Sequence, residues 1–326
     1  MQPAILIEEL TKEFAIGFWR PRPYRALDRL TLAIDSGEVF GFLGPNGAGK
    51  TTTLKLLMQL IFPTSGRAEI LGRPIGDVAT RRRIGYLPEN PSFYDHLTAE
   101  ELMTYFAQLL GVPASDRTRR VSDLLDKVGI GRERRFQLRK FSKGMIQRVG
   151  IAQALLNDPE VIFLDEPMSG LDPLGRRDVR ALILDLRDQG RTVFFSSHIL
   201  ADAEALCSRV AVVAAGRLAA TGRLNELAEF RIRGWELVVA NLSPAALEPL
   251  RAAATRVIEV GTGRYTIDLP LSAAPDALLP AIAASGAHII SLNPLRETLE
   301  DFFIQRVAEA GAEARGDAAA GGHAGR

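Results

Sequence analysis

Three short apolar runs stand out along the first two thirds of the chain: residues 38–43 (EVFGFL), 161–166 (VIFLDE) and 192–197 (TVFFSS). Each is too short for a helix and too uniformly apolar for a half-exposed strand, so each reads as a strand buried on both faces. Stretches of helical periodicity separate them. Residues 50–60 (KTTTLKLLMQL) follow a glycine turn. Residues 174–190 (LGRRDVRALILDLRDQG) carry apolar positions on one helical face and stop at Gly190, a helix-ending signal. Buried strands alternating with helices predict an α/β core around a parallel sheet.

Between about residues 90 and 153 the pattern is almost wholly helical. Thr98 and Glu101 in TAEELMTYFAQLLG form a capping box, residues 117–130 read as a second helix, and Ser142 opens a third in FSKGMIQRVGIAQAL. A helical subdomain inserted into the α/β core is the expectation. After about Gly222 the pattern changes again. Residues 235–240, 256–260, 265–269 and 287–292 read as strands, and 243–254 and 274–284 as helices. Their order, β-α-β-β-α-β, predicts a small ferredoxin-like α+β domain. Residues 296–310 read as a last helix, and the remainder, without large apolar residues, as disordered. The expected division is 1–227, 228–308 and 309–326.

Composition narrows the function without naming it. A net charge of +1 argues against a nucleic-acid partner. Arginine groups at 81–83 and 132–135 then read as solvated faces, and FWRPRP (18–23) as the tip of an exposed hairpin. The single cysteine, Cys207, forms no internal disulfide and no metal-binding spacing. The start, MQPAILIEEL, lacks the basic region of a secretory signal, and no apolar run reaches the roughly 18 residues a membrane span needs.

The chemistry concentrates at the ends of the buried strands. GPNGAGKT, residues 44–51, matches G-x-x-x-x-G-K-[ST] between a strand and a helix. Gly44, Gly47 and Gly49 let the backbone wrap a phosphate chain with its N–H groups turned inward. Lys50 is expected to reach the β- and γ-phosphates, and the Thr51 hydroxyl to take Mg²⁺. VIFLDEP ends a strand in two acids: Asp165 suits the metal and Glu166 the attacking water. Ser142 and Gly144 open a helix whose free N–H groups suit a second anion.

In this order the motifs resemble the ATPase subunit of an ATP-binding cassette (ABC) transporter, over roughly residues 4–227. Gly44, Pro45, Asn46, Gly47, Ala48, Gly49, Lys50, Thr51 and Thr52 resemble the Walker A stretch, VIFLDEP the Walker B with its catalytic glutamate, and SGLD (169–172) the D-loop, which brings Asp172 to the nucleotide. His198 falls where the switch histidine belongs, and FSKGM where the family carries LSGGQ. The resemblance implies a P-loop NTPase fold and hydrolysis of ATP with Mg²⁺, with Lys50, Glu166 and His198 as the catalytic set. It implies a head-to-tail pair, most simply a homodimer, in which Ser142 and Gly144 hold the γ-phosphate of ATP bound by the partner. It further implies a separate integral membrane permease, contacted by residues 93–97, a cytoplasmic location at the inner face of the membrane, and export rather than import.

Three departures bear on turnover. Lys143 and Met145 replace a glycine and the glutamine of the signature, and Glu89 stands where the family has the Q-loop glutamine, within reach of Mg²⁺ or the water. The aromatic that stacks on adenine is Phe14 in LTKEF, with Tyr24 as its rival. Two other readings stay open: a soluble ABC-type ATPase not coupled to transport, and a nucleotide-binding regulator with little turnover.

Overall fold

The computed structural model describes residues 2–17, 19, 21–227, 232–273, 275–296, 301 and 304–309. The chain forms two compact units, the first over Met1–Leu224 with Phe303–Arg326 and the second over Asn225–Phe302.

The first unit begins with a hairpin of β1 (Ile5–Ile16) and β2 (Arg22–Ile34), followed by β3 (Val39–Leu43) and α1 (Lys50–Leu57). Next come β4 (Ser65–Ile70), β5 (Arg73–Pro74), α2 (Val78–Arg81) and β6 (Ile84–Leu87). The helical segment holds α3 (Ala99–Leu109), α4 (Ala114–Lys127) and α5 (Lys143–Ala154). The chain then returns through β7 (Val161–Asp165), α6 (Pro173–Asp188), β8 (Thr192–Ser197), α7 (Leu200–Leu206), β9 (Arg209–Ala214), β10 (Arg217–Arg223) and α8 (Leu224–Leu227).

Its main sheet has the order β10-β9-β3-β8-β7-β6, with parallel pairing from β9 through β6 and β10 antiparallel at the edge. Every residue of β3, β7 and β8 is buried, as a parallel sheet covered on both faces requires. One face carries a phenylalanine cluster, Phe40, Phe42, Phe163 and Phe194, with ring centroids 5.2–6.0 Å apart along Phe194. That cluster is continuous with Leu54 and Leu57 of α1 and with Ile5, Ile7, Leu30 and Ile34 of a second, antiparallel sheet of order β2-β1-β4-β5.

The capping box of α3 is complete: Glu101 N–H donates to Thr98 Oγ1 (3.2 Å), and Thr98 N–H to Glu101 Oε2 (2.8 Å). Helix α1 is shorter than its apolar pattern, because the chain turns left-handed at Gln59 (φ 52°). The arginines of 132–135 are not all solvated. Arg134 donates to the Gly131 carbonyl (2.7 Å), Ser122 Oγ (2.7 Å) and Asp126 Oδ1 (2.8 Å), fastening α4 to the loop behind it.

The second unit contains β11 (Ile232–Ala240), α9 (Pro244–Ala253), β12 (Arg256–Gly261), β13 (Arg264–Pro270), α10 (Pro275–Ala284) and β14 (His288–Arg296). The sheet order is β12-β13-β11-β14, antiparallel throughout, which is the ferredoxin-like arrangement. Leu237, Val239, Ile267 and Leu269 of the sheet pack on Leu247 and Leu250 of α9 and Ile282 of α10. Residues 304–309 are helical, whereas Arg296, expected in that helix, ends β14. Of the expected disordered tail, 309–326, Glu309 is helical and the rest lies outside the described residues.

Candidate functional site

The loop between β3 and α1 needs glycine at two positions. A Cβ on Gly44 would lie 2.4 Å from the Val213 carbonyl oxygen, and one on Gly49 (φ 105°) 2.7 Å from that of Ala26. The loop is pinned from outside: Gly44 N–H donates to the Ser197 carbonyl (3.2 Å), and Gly216 N–H to the Ala48 carbonyl (3.1 Å). Lys50 folds back over it, donating to the carbonyls of Gly44 (2.7 Å) and Pro45 (3.3 Å).

The same ammonium stands 3.3 Å from Glu166 Oε1, and His198 Nδ1 lies 2.9 Å from Glu166 Oε2. Lys50 and Glu166 are both buried, so this is an ion pair of the interior. Glu166 adopts φ 50°, the left-handed region that side chains other than glycine rarely enter, which turns it away from the strand direction followed by Asp165.

Asp165, at the C-terminal end of β7, is fully buried. Its Oδ1 accepts from the Ser196 hydroxyl at 2.6 Å, while Oδ2 is buried without a hydrogen-bond partner. Burial pushes this carboxyl above its ordinary value. The hydroxyls of Ser196 and Thr51 oppose that, and the charges of Glu89 and Glu166 add to it. Tyr86, on the neighbouring strand, is pushed up to about 12, by burial first and then by Asp165 and Glu89. An orphaned carboxylate oxygen among the Thr51 hydroxyl and a second carboxylate fits a hard divalent cation that shares its shell with phosphates. No cluster of three or more His, Cys, Asp or Glu side chains able to hold a metal alone exists among the described residues.

Lys50, Thr51, Glu89, Glu166 and His198 open into one cleft of about 430 Å³, lined also by Phe14, Tyr24, Ala26, Pro45, Asn46, Gly47, Gly49, Thr52 and Ser169; Gly44, Ala48 and the buried Asp165 do not line it. Phe14 and Tyr24 face each other across the β1–β2 hairpin, so the two rivals share one wall. The Lys12 ammonium lies 5.0 Å over the Phe14 ring. A larger cavity, about 540 Å³, lies at the opposite ends of β7 and β8. Most of its cations are already engaged: Arg120 with the Leu155 and Leu156 carbonyls, Arg191 with Asp158, and Lys127 with Asp185.

Ser142, Gly144 and Asp172 do not line the cleft. Ser142 caps α5, accepting from Met145 N–H (3.3 Å), and Asp172 caps α6, accepting from Gly175 N–H (2.9 Å). The two caps are neighbours. A Cβ on Gly144 would lie 3.1 Å from Leu171 Cδ2, and the stem of Lys143 runs over Gly170. The sequence reading missed Ser196 and Ala26, and put Ser169 in the D-loop without assigning it to the cleft. The only advance signal for Ser196 was a pair of serines closing an apolar strand.

Residues 27–169 match the ABC transporter family. The chain is 47% identical to an uncharacterised ABC transporter ATP-binding protein of Synechocystis sp. over 93% of this chain and 84% of that one. The chain belongs to the ABC transporter ATP-binding proteins. It is 34% identical to a Nod factor export ATP-binding protein I of Cupriavidus metallidurans, over 86% of this chain and 91% of that one. Among solved structures it resembles a dimeric ATP-binding cassette in a post-hydrolysis state bound to ADP and Pi, at 26% identity and TM-score 0.62, over 68% of this chain and 98% of that one. As a member of this family the chain is an ATP-binding subunit and an ATPase. No helix among its described residues is long and apolar enough to cross a membrane.

Proposed function

We propose that this ABC ATPase powers export through a separate membrane permease, working as a homodimer at the cytoplasmic face of the membrane. The observation that carries the reading is the convergence of Lys50, Glu166 and His198 at the mouth of the phosphate loop, beside the orphaned oxygen of Asp165. Glu166 accepts the proton of a water attacking the γ-phosphate, Lys50 neutralises charge on the phosphates, and His198 supports Glu166 and the γ-phosphate. Thr51, Asp165 and Glu89 would hold Mg²⁺, which supplies charge neutralisation at the phosphates. Adenine stacks on Phe14.

Ser142 and Gly144 reach the ATP held by the partner, which accounts for their distance from the cleft of their own chain, and Asp172 holds the neighbouring loop in place. A dimeric cassette among the similar structures supports the pairing. Export is supported by the relative named for Nod factor export. The permease contact falls at residues 93–97, where exposed Tyr94 packs edge-on to Tyr105.

The test is co-purification. Tagged Glu166→Gln protein is recovered with ATP from gently solubilised host membranes, and its partners are identified by mass. A stoichiometric multi-span protein establishes the transporter reading. An ATP-dependent homodimer in the soluble fraction, with no membrane partner, replaces it with a soluble ABC ATPase.

A further inference from the structure

One buried hydroxyl joins the two acids that end β7. Ser196 is 0% exposed, on the strand beside β7 and directly opposite Asp165 in the parallel register. Its Oγ donates to Asp165 Oδ1 at 2.6 Å and accepts the backbone N–H of Glu166 at 3.0 Å. A hydroxyl has one proton to give and lone pairs to receive, so both bonds are made at once.

The two bonds do different work. The bond to Oδ1 engages one oxygen of Asp165 and leaves Oδ2 as the buried oxygen without a partner. The bond from Glu166 N–H holds a residue whose φ of 50° is unfavourable for any side chain but glycine. Such a conformation persists only where its surroundings over-determine it. Here the Ser169 N–H grips the Glu166 carbonyl at 3.0 Å while Ser196 grips its N–H.

We propose that Ser196 is a positioning residue for ATP hydrolysis: one hydroxyl orients Asp165 toward the divalent cation and Glu166 toward the attacking water. The inference rests on the roles given to Asp165 and Glu166 above. Removing the hydroxyl leaves a buried N–H unpaired and lets both carboxylates drift. The loss falls on the chemical step and on metal-dependent nucleotide binding, and leaves the grip of the glycine loop on phosphates intact.

The experiment compares wild type, Ser196→Ala, Ser196→Thr and Glu166→Gln as full chains. It measures kcat, affinity for a fluorescent ATP analogue in EDTA and with Mg²⁺, and hydrogen exchange of the 162–170 segment without nucleotide. Ser196→Ala is expected to lower kcat by about 10- to 100-fold, as loss of an outer partner of a metal ligand does. Its affinity in EDTA stays within about twofold, because the glycine loop that grips the phosphates is untouched. The gain on adding Mg²⁺ shrinks, exchange at 162–170 rises, and Ser196→Thr, which keeps the hydroxyl, restores kcat.

Wild-type kcat and Mg²⁺ gain in Ser196→Ala overturn the inference. So does an equal loss of kcat in folded Ser196→Thr, which would trace the effect to volume. If Ser196→Thr does not fold, loss of EDTA affinity in Ser196→Ala overturns the inference and its retention beside a lowered kcat supports it. Normal turnover in Glu166→Gln would instead remove the underlying reading of the site, a result distinct from the others.

Discussion

The buried pair Lys50–Glu166 yields a stability prediction in which its two members are not equivalent. At 3.3 Å, with both side chains less than 10% exposed, the mutual attraction is about 5 kcal/mol at an effective dielectric constant of about 20, before desolvation is counted. Lys50→Met removes the cation and strands Glu166 in the interior with only His198 beside it. Breaking a buried pair from one side costs about 3 kcal/mol or more. Glu166→Gln is milder: Lys50 keeps the Gly44 and Pro45 carbonyls, and the amide keeps an acceptor of the same shape. That change costs about 1 kcal/mol. The double variant strands no charge, so its loss is smaller than the sum of the two by about 2 kcal/mol, within the range found for contacting residues. The assay is calorimetric melting in nucleotide-free buffer. In a unit the size of the first, 3 kcal/mol moves the transition by about 6–12 °C. The transition of the Asn225–Phe302 unit serves as an internal reference. Because the pair is buried, the coupling persists at high salt. Additivity of the two single variants within about 0.5 kcal/mol would refute the reasoning.

Asp165 sets a pH dependence. Burial raises its folded pKa above the ordinary 3.8, so the folded chain holds this proton more tightly than the unfolded one. Below 3.8 both states are protonated; as pH rises through the folded pKa, stability is lost. Asp165→Asn therefore melts above wild type at pH 7 without Mg²⁺, and the advantage vanishes below that ordinary value. In the phosphate loop, Gly44→Ala drives a Cβ into the Val213 carbonyl and abolishes nucleotide binding. Gly47→Ala meets nothing within 4 Å and costs only about 1–2 kcal/mol of left-handed strain; equilibrium binding and melting separate the two. Phe14→Ala weakens ATP binding by about tenfold, as loss of one aromatic stack does, and Tyr24→Ala by much less. The reverse ranking moves adenine onto Tyr24.

The core was legible wherever burial is uniform. Strands β3, β7 and β8 are apolar runs because both of their faces are covered. The antiparallel sheet was not legible, for two reasons. Register shifts near Leu10 and Lys12 interrupt the alternation of β1, and β4 buries only Ala68 and Ile70. The phosphate loop and the acids of β7 were readable because their chemistry demands residue types at fixed spacing. Ser196 was not, since a serine at a strand end is silent until the sheet register sets it against Asp165. The contest between Phe14 and Tyr24 had the same origin: ten positions apart in sequence, they are partners across a hairpin.

Glu89 is the departure from the family pattern with the most direct electrostatic consequence. It lines the cleft, is exposed, and its charge raises the pKa of both Asp165 and Tyr86. Glu89 and Glu166 thus share the cleft with one ammonium, and buried Asp165 feels the charge of both, at the place proposed for the phosphates. Without a divalent cation, nucleotide enters a site of its own sign. Glu89→Gln removes one of these charges while keeping side-chain length and an acceptor. At the dielectric of a partly solvated cleft this is worth about 0.5–1 kcal/mol, or roughly a two- to fivefold tighter ATP affinity in EDTA. The gain shrinks in about 0.5 M salt, because an exposed charge is screened within a few ångström. With Mg²⁺ the order reverses: a carboxylate that helps hold the cation is worth keeping, so Glu89→Gln needs more Mg²⁺ for half-maximal turnover. The two measurements make the idea vulnerable from both sides. Unchanged affinity in EDTA at low salt would show that the Glu89 charge does not reach the phosphates, and an unchanged Mg²⁺ requirement would remove it from the metal site.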